Sequence, residues 1–226
     1  MTVYDDNFYA TIREGIQSSA AALVPILIDL FPGTLSVIDV GCGEGWWSYQ
    51  FVEHGVSALA VDGSVTDLMM KLTPPLADGA RAEPIVRFMR ADLEHEPLAK
   101  RVGARFDMAI CLEVAEHLPP ERADTFIDDL CALSDVVVFS AAIPGQGGTG
   151  HVHCRWQSWW GKKFNDRGYW TSGDLRLLIW NDDRIENWYR ANTIVACHHD
   201  VPTPYALVGG AVLDLVHPVL WNSVRP

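Results

Sequence analysis

A glycine-rich turn that directly follows a buried strand constrains this 226-residue chain more than any other feature. Val37–Val40 is a β-branched run that carries one acid, Asp39, and such a run is typical of a buried strand. Gly41, Gly43 and Gly45 follow it and precede a helical pattern. Glycines let the backbone approach a ligand closely, and a helix N-terminus offers unpaired N–H groups. The sequence therefore predicts a strand–turn–helix unit that binds a nucleotide-like cofactor.

Strand and helix patterns alternate around this unit. A helix is predicted over 11–31, where Pro32-Gly33 ends it. The further predicted elements are strands over 35–40, 58–61, 85–89, 106–111 and 136–140, and helices opening at Trp46 and over 64–71 and 121–132. Repeated alternation of this kind is typical of a mainly parallel sheet with helices on both faces, so the fold class is α/β.

The pattern changes after a glycine-rich loop that begins at Pro144. Residues 155–190 are dense in aromatic side chains, which predicts two helices that form an inserted lid and a substrate pocket. Residues 193–197 and 205–213 are predicted to be late strands that pair antiparallel. We expect one domain over 1–226, divided into an N-terminal helical cover (1–33), a cofactor-binding core (34–143), an aromatic lid and substrate region (144–192) and final strands (193–226).

Two acids bear on which cofactor the turn binds. Asp62 ends the second strand, where Rossmann-type folds place an acid on ribose hydroxyls. A dinucleotide-binding turn needs a third small residue at the position that Trp46 occupies. Asp39 would repel a pyrophosphate and attract the cationic methionyl end of S-adenosylmethionine. The sequence therefore favours S-adenosylmethionine over NAD.

Four motifs in order resemble those of the class I S-adenosylmethionine-dependent methyltransferases, over roughly residues 35–145. Asp39–Gly45 resembles the first motif, Asp62 the ribose-binding acid, Ala91–Leu93 the stretch beside the adenine, and Phe106–Glu113 the fourth strand with its following motif. The resemblance implies a Rossmann-like seven-stranded, mostly parallel sheet whose last strand is antiparallel. The cofactor-binding residues that it implies are Asp39, Gly41, Cys42, Gly43, Gly45, Asp62, Gly63, Asp92, Leu93 and Leu112.

A second set of residues follows the fourth strand. Glu113, Glu116 and His117 have i, i+3, i+4 spacing, so a helical turn would place them on one face. With His151, they could hold Mg²⁺ or another divalent cation. Glu-x-x-Glu-His also resembles the metal motif of ubiquinone-pathway O-methyltransferases and small-RNA 3′-terminal ribose methyltransferases. The alternative is that the acid and the histidine serve helix packing and capping, as in metal-free members of the family.

His151 and His117 are also the candidate catalytic residues. A neutral imidazole near pH 7 can take a proton from a hydroxyl or an ammonium group as the methyl group arrives. The base role and the metal role of His151 are alternatives that the sequence leaves open.

Charge and cysteine content limit which partners and which compartment are expected. A net charge of −12 and a pI of about 4.9 make a nucleic-acid partner unexpected. The five cysteines form no Cys-x-x-Cys pair, which indicates a reducing compartment. No secretory leader or membrane-spanning run is predicted, so we expect a cytoplasmic protein without a membrane partner. The oligomeric state is not indicated.

These patterns together predict an enzyme that uses S-adenosylmethionine to methylate an oxygen or a nitrogen of a small-molecule substrate, with a divalent metal as a candidate second ligand. Two alternatives stay open. One is an RNA ribose 2′-O-methyltransferase, and the other is a non-catalytic cofactor-binding protein.

Overall fold

The computed structural model describes residues 6–64, 86–202, 204, 206, 207 and 213–223. Its strands are β1 (Ser36–Val40), β2 (Ser57–Asp62), β3 (Val86–Arg90), β4 (Met108–Leu112), β5 (Val136–Ser140), β6 (Tyr169–Ser172) and β7 (Ile194–His198). Its α-helices are α1 (Asp6–Leu30), α2 (Trp46–Glu53), α3 (Leu98–Val102), α4 (Ala123–Leu133), α5 (Gln157–Asn165), α6 (Leu175–Ile179), α7 (Asn187–Asn192) and α8 (Pro218–Ser223). Short 3-10 helices cover Ala115–His117 and Pro120–Arg122.

The strands form one sheet in the order β3-β2-β1-β4-β5-β7-β6. Strands β1 to β5 are parallel, and Ile38 of β1 pairs with Leu59 of β2 and Ala109 of β4. Strand β7 runs antiparallel to both of its neighbours, and its Ala196 pairs with Val137 of β5. This confirms the predicted Rossmann-like seven-stranded sheet. The strand order reverses between β1 and β4, which leaves a crevice outside their carboxyl ends.

Helices cover both faces because the central strands carry apolar side chains on each. Strands β4 and β5 are buried along their whole length, as expected of parallel strands between two helical layers. On one face, Val138 packs in the same apolar cluster as Leu23 of α1. On the other face, the Phe139 ring lies 5.2 Å from the ring of Trp160 in α5.

Helix α1 begins at Asp6, ahead of the predicted start at residue 11, and ends one residue before Phe31. Its apolar residues Leu23 and Leu27 are fully buried against the sheet. In the part of the chain that the structure describes, no helix is both long and apolar enough to cross a bilayer.

The aromatic segment over 155–190 departs from the prediction of two helices. It contains the edge strand β6 (Tyr169–Ser172) as well as helices. Trp160 and Phe164 are buried and pack against Phe139 at ring distances of 5.2 and 5.5 Å. Much of this segment therefore belongs to the core. Tyr, Trp and Thr favour strands, but β6 is only four residues long, too short for its alternation to stand out beside the neighbouring helical pattern.

The prediction that residues 205–213 pair with β7 is wrong. Strand β6 occupies that position, and residues 206, 207 and 213, which are described, lie outside any strand. A strand has only two edges, and β5 and β6 take both edges of β7. The helix predicted over 64–71 lies outside the described residues from 65 onward.

A buried arginine at the start of α4 forms an ion pair within that segment and hydrogen-bonds to the loop after β3. The Arg122 and Asp129 side chains contact each other and are 7% and 9% exposed. Arg122 also donates hydrogen bonds to the carbonyl oxygens of Leu93 at 3.0 Å and Glu96 at 3.1 Å. The guanidinium thereby fixes a loop that borders the cavity described below.

We expect Arg122→Met to lower the free energy of unfolding by about 3–5 kcal/mol, because Asp129 stays buried without its cation. Lys162→Met is the control, since its ion pair with Asp166 is largely exposed and should contribute less than about 1 kcal/mol. Urea unfolding followed by circular dichroism compares the two variants. Equal losses would contradict this account of the pair.

Candidate cofactor and acceptor site

A cavity of about 910 Å³ opens at the carboxyl ends of β1 to β4. Its wall combines the turn after β1, the ends of β2 and β3, the segment after β4, the loop over 146–151, and parts of α1 and α7. Ligands bind at this edge in open α/β sheets, and the volume suits a cofactor with a small substrate. The end near the glycine turn is called the cofactor end, and the end near His117 and His151 the histidine end.

The turn after β1 is held in one shape by β2. The backbone N–H groups of Gly41 and Cys42 both donate to the Val61 carbonyl oxygen, at 2.8 and 3.0 Å. Gly41 has a φ of 77°, and a Cβ there would lie 2.4 Å from Val114. Glycine alone combines this left-handed conformation with so close an approach. The turn therefore keeps the cofactor end open beside bare backbone.

Two acids stand in the wall of the cofactor end. Asp39 is buried and accepts hydrogen bonds from the Ser48 N–H at 3.2 Å and the Ser48 hydroxyl at 2.8 Å. Burial raises the pKa of Asp39 to about 7, against the opposing effect of these hydrogen bonds. Asp62 accepts from the Gly43 N–H and the Ser64 N–H, both at 2.9 Å, and burial raises its pKa as well. Such a pair favours a positively charged ligand over a pyrophosphate.

An ion pair that sequence reasoning missed joins α1 to the turn. Arg13 donates to the two carboxylate oxygens of Glu44 at 2.9 and 2.6 Å, and the Glu44 side chain is 1% exposed. Burial opposes ionisation of Glu44, but the Arg13 hydrogen bonds hold its pKa below the usual value. Tyr9 also reaches the turn, since a Cβ on Gly43 would lie 2.9 Å from its ring. An acid within the turn signals a cationic partner, but sequence spacing does not identify it.

The structure gathers the predicted cofactor-binding residues around this cavity. Nine of them line its wall: Asp39, Gly41, Cys42, Gly43, Asp62, Gly63, Asp92, Leu93 and Leu112. Gly45 is the exception, because it precedes α2 with a φ of 82° and sets the start of that helix. Contact of these residues with a cofactor stays a prediction.

Three of the predicted metal-ligating side chains meet at the histidine end. Glu116, His117 and His151 bring ligand atoms within 4.8 Å of one another. The expected helical turn through Glu113 is absent: the 3-10 helix covers Ala115–His117 only, and Glu113 precedes it with a φ of 55°, so Glu113 does not share its face. The loop over 146–151 supplies the second histidine. This cluster could hold a divalent cation.

Glu113 lies beside that group of three and is not part of it. Its backbone has a φ of 55°, which is unusual for a residue with a side chain. Its carboxylate accepts hydrogen bonds from Gln146 Nε2 at 3.1 Å and Asn192 Nδ2 at 3.1 Å. Sequence reasoning missed both amides, since they come from a loop and a helix far along the chain.

The Glu116 carboxyl is fully buried, and the nearest backbone N–H groups, those of Ala142 and of Glu116 itself, do not complete a hydrogen bond of normal geometry to it. Burial, followed by the charge of Glu113, raises the pKa of Glu116 well above its usual value. A buried carboxyl without such hydrogen bonds must be neutralised by a proton or a cation. The donor set therefore fits a divalent cation, and a proton fits it as well.

Backbone carbonyls fix the tautomers of the two histidines. Nδ1 of His117 lies 3.2 Å from the Gly150 carbonyl oxygen, and Nδ1 of His151 lies 3.3 Å from the Gln146 carbonyl oxygen. A proton on each Nδ1 satisfies these contacts and leaves the lone pair on Nε2. Burial lowers the pKa of both rings, to about 4 for His117. Both are therefore neutral near pH 7, as a base or a metal ligand must be.

Comparison with known proteins agrees with this geometry. Residues 37–134 match the family model described as a methyltransferase domain. Magnesium-protoporphyrin O-methyltransferase of Synechocystis is 33% identical over 129 residues, which cover 55% of this chain and 51% of that protein. Ubiquinone biosynthesis O-methyltransferase of Leptothrix cholodnii is 32% identical over 85 residues, which cover 38% and 34%. The chain thus matches about half, or less, of the length of these relatives.

Solved structures share the fold. Magnesium protoporphyrin IX methyltransferase of Synechocystis, with bound S-adenosylmethionine, has a TM-score of 0.59 and 24% identity, covering 87% of this chain and 88% of that one. The 1,6-didemethyltoxoflavin-N1-methyltransferase of Burkholderia thailandensis has a TM-score of 0.55 and 18% identity, covering 85% and 81%.

Sheet order, glycine turn and paired acids are those of a Rossmann-like fold with a ligand cavity at the carboxyl ends of its strands. Over residues 37–134 the chain is similar to methyltransferase domains, and its fold is that of a solved methyltransferase with bound S-adenosylmethionine.

Asp39 gives cofactor binding a pH dependence of defined sign. Its carboxyl, with a pKa of about 7, is mainly protonated below that pH and ionised above it. The sulfonium of S-adenosylmethionine favours the ionised form, whereas the sulfur of S-adenosylhomocysteine is neutral. We expect the ratio of the two affinities to rise by up to about tenfold between about pH 6 and about pH 8, and Asp39→Asn to flatten it. Calorimetric titrations measure the ratio, and a constant ratio in the native protein would contradict this role.

Proposed function

We propose that the chain is an S-adenosylmethionine-dependent methyltransferase that methylates an oxygen or a nitrogen of a small-molecule acceptor. The observation that carries the proposal is one cavity that joins the turn with Asp39 and Asp62 to the pair His117 and His151. A cavity of this kind can align donor with acceptor and keep water out. Alignment and exclusion of water are the main contributions that a protein makes to such a transfer.

The cofactor end supplies recognition. Bound S-adenosylmethionine brings a methyl group on a positively charged sulfur, which is already a strong methyl donor. The Asp39 carboxylate offsets positive charge at the methionyl end, and Asp62 accepts hydrogen bonds from ribose hydroxyls. Leu93 and Leu112 contribute apolar wall to the same cavity.

His151 is the residue that we expect to take the acceptor's proton. Its Nε2 lone pair accepts the proton from an acceptor O–H or N–H as the bond to the methyl carbon forms and the carbon–sulfur bond breaks. His117, with a pKa of about 4, is the weaker base of the two. In this arrangement His117 packs at 4.9 Å against the His151 ring and orients it.

Metal assistance is a separate part of the proposal. Glu116, His117 and His151 would hold a divalent cation, which would lower the pKa of an acceptor hydroxyl. The buried Glu116 carboxyl, which makes no hydrogen bond of normal geometry among the described residues, supports this part. As a ligand His151 would no longer be the base, so the two roles predict different responses to metal removal.

Calorimetry with S-adenosylhomocysteine tests the proposed function. We expect Asp62→Asn to weaken binding by about tenfold or more, because it removes a charge-assisted hydrogen-bond acceptor. Asp166→Asn is the control, since Asp166 is exposed and lies outside the cavity wall. Native protein that does not bind the ligand would contradict the proposal. Binding without methyl transfer to any acceptor would indicate a non-catalytic cofactor-binding protein, and salt-sensitive RNA binding with methylation would indicate the ribose methyltransferase.

Titration of EDTA-treated protein with Mn²⁺ tests the metal part. Micromolar binding is expected in the native chain, and Glu116→Gln should weaken it by at least about tenfold because a charged ligand is lost. Glu121→Gln serves as the control because Glu121 lies outside the cluster. S-adenosylhomocysteine binding by both variants verifies that they are folded. Absence of Mn²⁺ binding, with methyl transfer unaffected by EDTA, would leave His151 as the base and remove the cation.

A further inference from the structure

Aromatic side chains form one wall of the cavity. Phe8 of α1, Trp46 of α2, and Trp188 and Tyr189 of α7 all line it. The Trp188 ring lies 5.9 Å from that of Tyr189, and the Tyr189 ring lies 5.1 Å from that of Trp47. Trp188 is partly buried against an apolar cluster and also lines the cavity, so part of its side chain faces the ligand space.

Helix α7 places the Trp188 part of this aromatic wall near the histidine end. Trp188 and Asn192 are four residues apart in α7, so they lie on the same face. Asn192 donates to the Glu113 carboxylate at 3.1 Å, which fixes that face beside Glu113. The indole of Trp188 is therefore held on the acceptor side of the cavity. The charges of Glu113 and Asp39 both raise the pKa of Tyr189 after burial, in agreement with a position between the two ends.

The histidine end carries no positive charge of its own among the described lining residues. Two arginines line the cavity: Arg90 is the last residue of β3, and Arg101 lies in α3. Strand β3 is three positions from β4 in the sheet, a separation of roughly 14 Å. Arg101 is also paired with Glu96 at 3.2 Å.

Near the histidine end, the acidic side chains are Glu113 and Glu116. Glu113 lines the cavity and Glu116 lies behind it, and no lysine or arginine among the described residues lines this end. If a divalent cation binds there, the two carboxylates balance its charge. An acceptor that enters as an anion would meet repulsion or, at best, no attraction.

We propose that the acceptor is a planar aromatic molecule, neutral or cationic at pH 7, that stacks on Trp188 with its hydroxyl or amino group toward His151. The inference rests on the proposed function and names the substrate class of the same site. Ring stacking supplies affinity, and the Glu113 carboxyl, with no lining arginine or lysine beside it, disfavours carboxylate and phosphate acceptors.

A matched probe series tests the proposal with the full chain saturated with S-adenosylhomocysteine. The probes are 2-naphthol, 2-(aminomethyl)naphthalene, 2-naphthoate and decahydro-2-naphthol, and binding is measured by calorimetry. We expect the first two to bind at least about tenfold more tightly than the anion and the saturated alcohol. Naphthoate binding as tightly as naphthol, equal binding of the saturated alcohol, or no binding of any naphthalene probe would overturn the proposal.

Substitutions of Trp188 test whether 2-naphthol contacts this ring. Trp188→Leu should weaken 2-naphthol binding by about tenfold, while Trp188→Phe should retain most of it because a ring remains. Trp156→Leu is the control, since Trp156 is exposed and outside the cavity wall. Unchanged 2-naphthol affinity in Trp188→Leu would overturn the assignment. If that variant does not fold, the probe ranking in the native chain decides. Failure to bind S-adenosylhomocysteine at all would instead contradict the proposed function.

Discussion

The hydrogen bonds that fix the turn after β1 to β2 are the constraint on which the site depends. Gly41 and Cys42 donate to one carbonyl oxygen of Val61, and Gly43 donates to Asp62. These bonds join two neighbouring parallel strands at their carboxyl ends, so the turn cannot collapse into the crevice. The same contacts place the Asp62 carboxylate at the cavity wall. The wall of the proposed cofactor pocket and a strand connection are therefore one structural element.

The cavity is completed by segments that lie far apart in the chain. Helix α1 contributes Arg13, whose guanidinium neutralises the buried Glu44 inside the turn. Helix α7 contributes Asn192, whose amide holds Glu113 at the other end. The site thus forms only when the N-terminal helix, the sheet and the late helices are packed together. Each end of the cavity has an acid, Glu44 or Glu113. Their partners, Arg13 and Asn192, come from opposite ends of the sequence.

Local signals account for what the sequence predicted. The glycines and the β-branched runs specify β1, the turn and the parallel strands, because these depend on backbone freedom and on burial of both faces. The sequence motif named Glu116, His117 and His151 as candidate ligands, and these three do meet, but Glu113 lies outside their group because the 3-10 helix begins only at Ala115. Strand β6 escaped prediction because its four residues, although strand-favouring, are too few to show a period of two. The partners Arg13 and Asn192 escaped because only tertiary packing selects them.

A crystal structure with S-adenosylhomocysteine bound would show whether the cavity beside the glycine turn binds the methyl donor. We expect the ligand in that crevice, with its ribose hydroxyls on the Asp62 carboxylate and its sulfur facing the histidine end. Trp46 and Trp47 should leave that path open. Density at another place on the protein, or a crevice that stays empty at saturating ligand, would contradict the assignment of this cavity as the methyl-donor site.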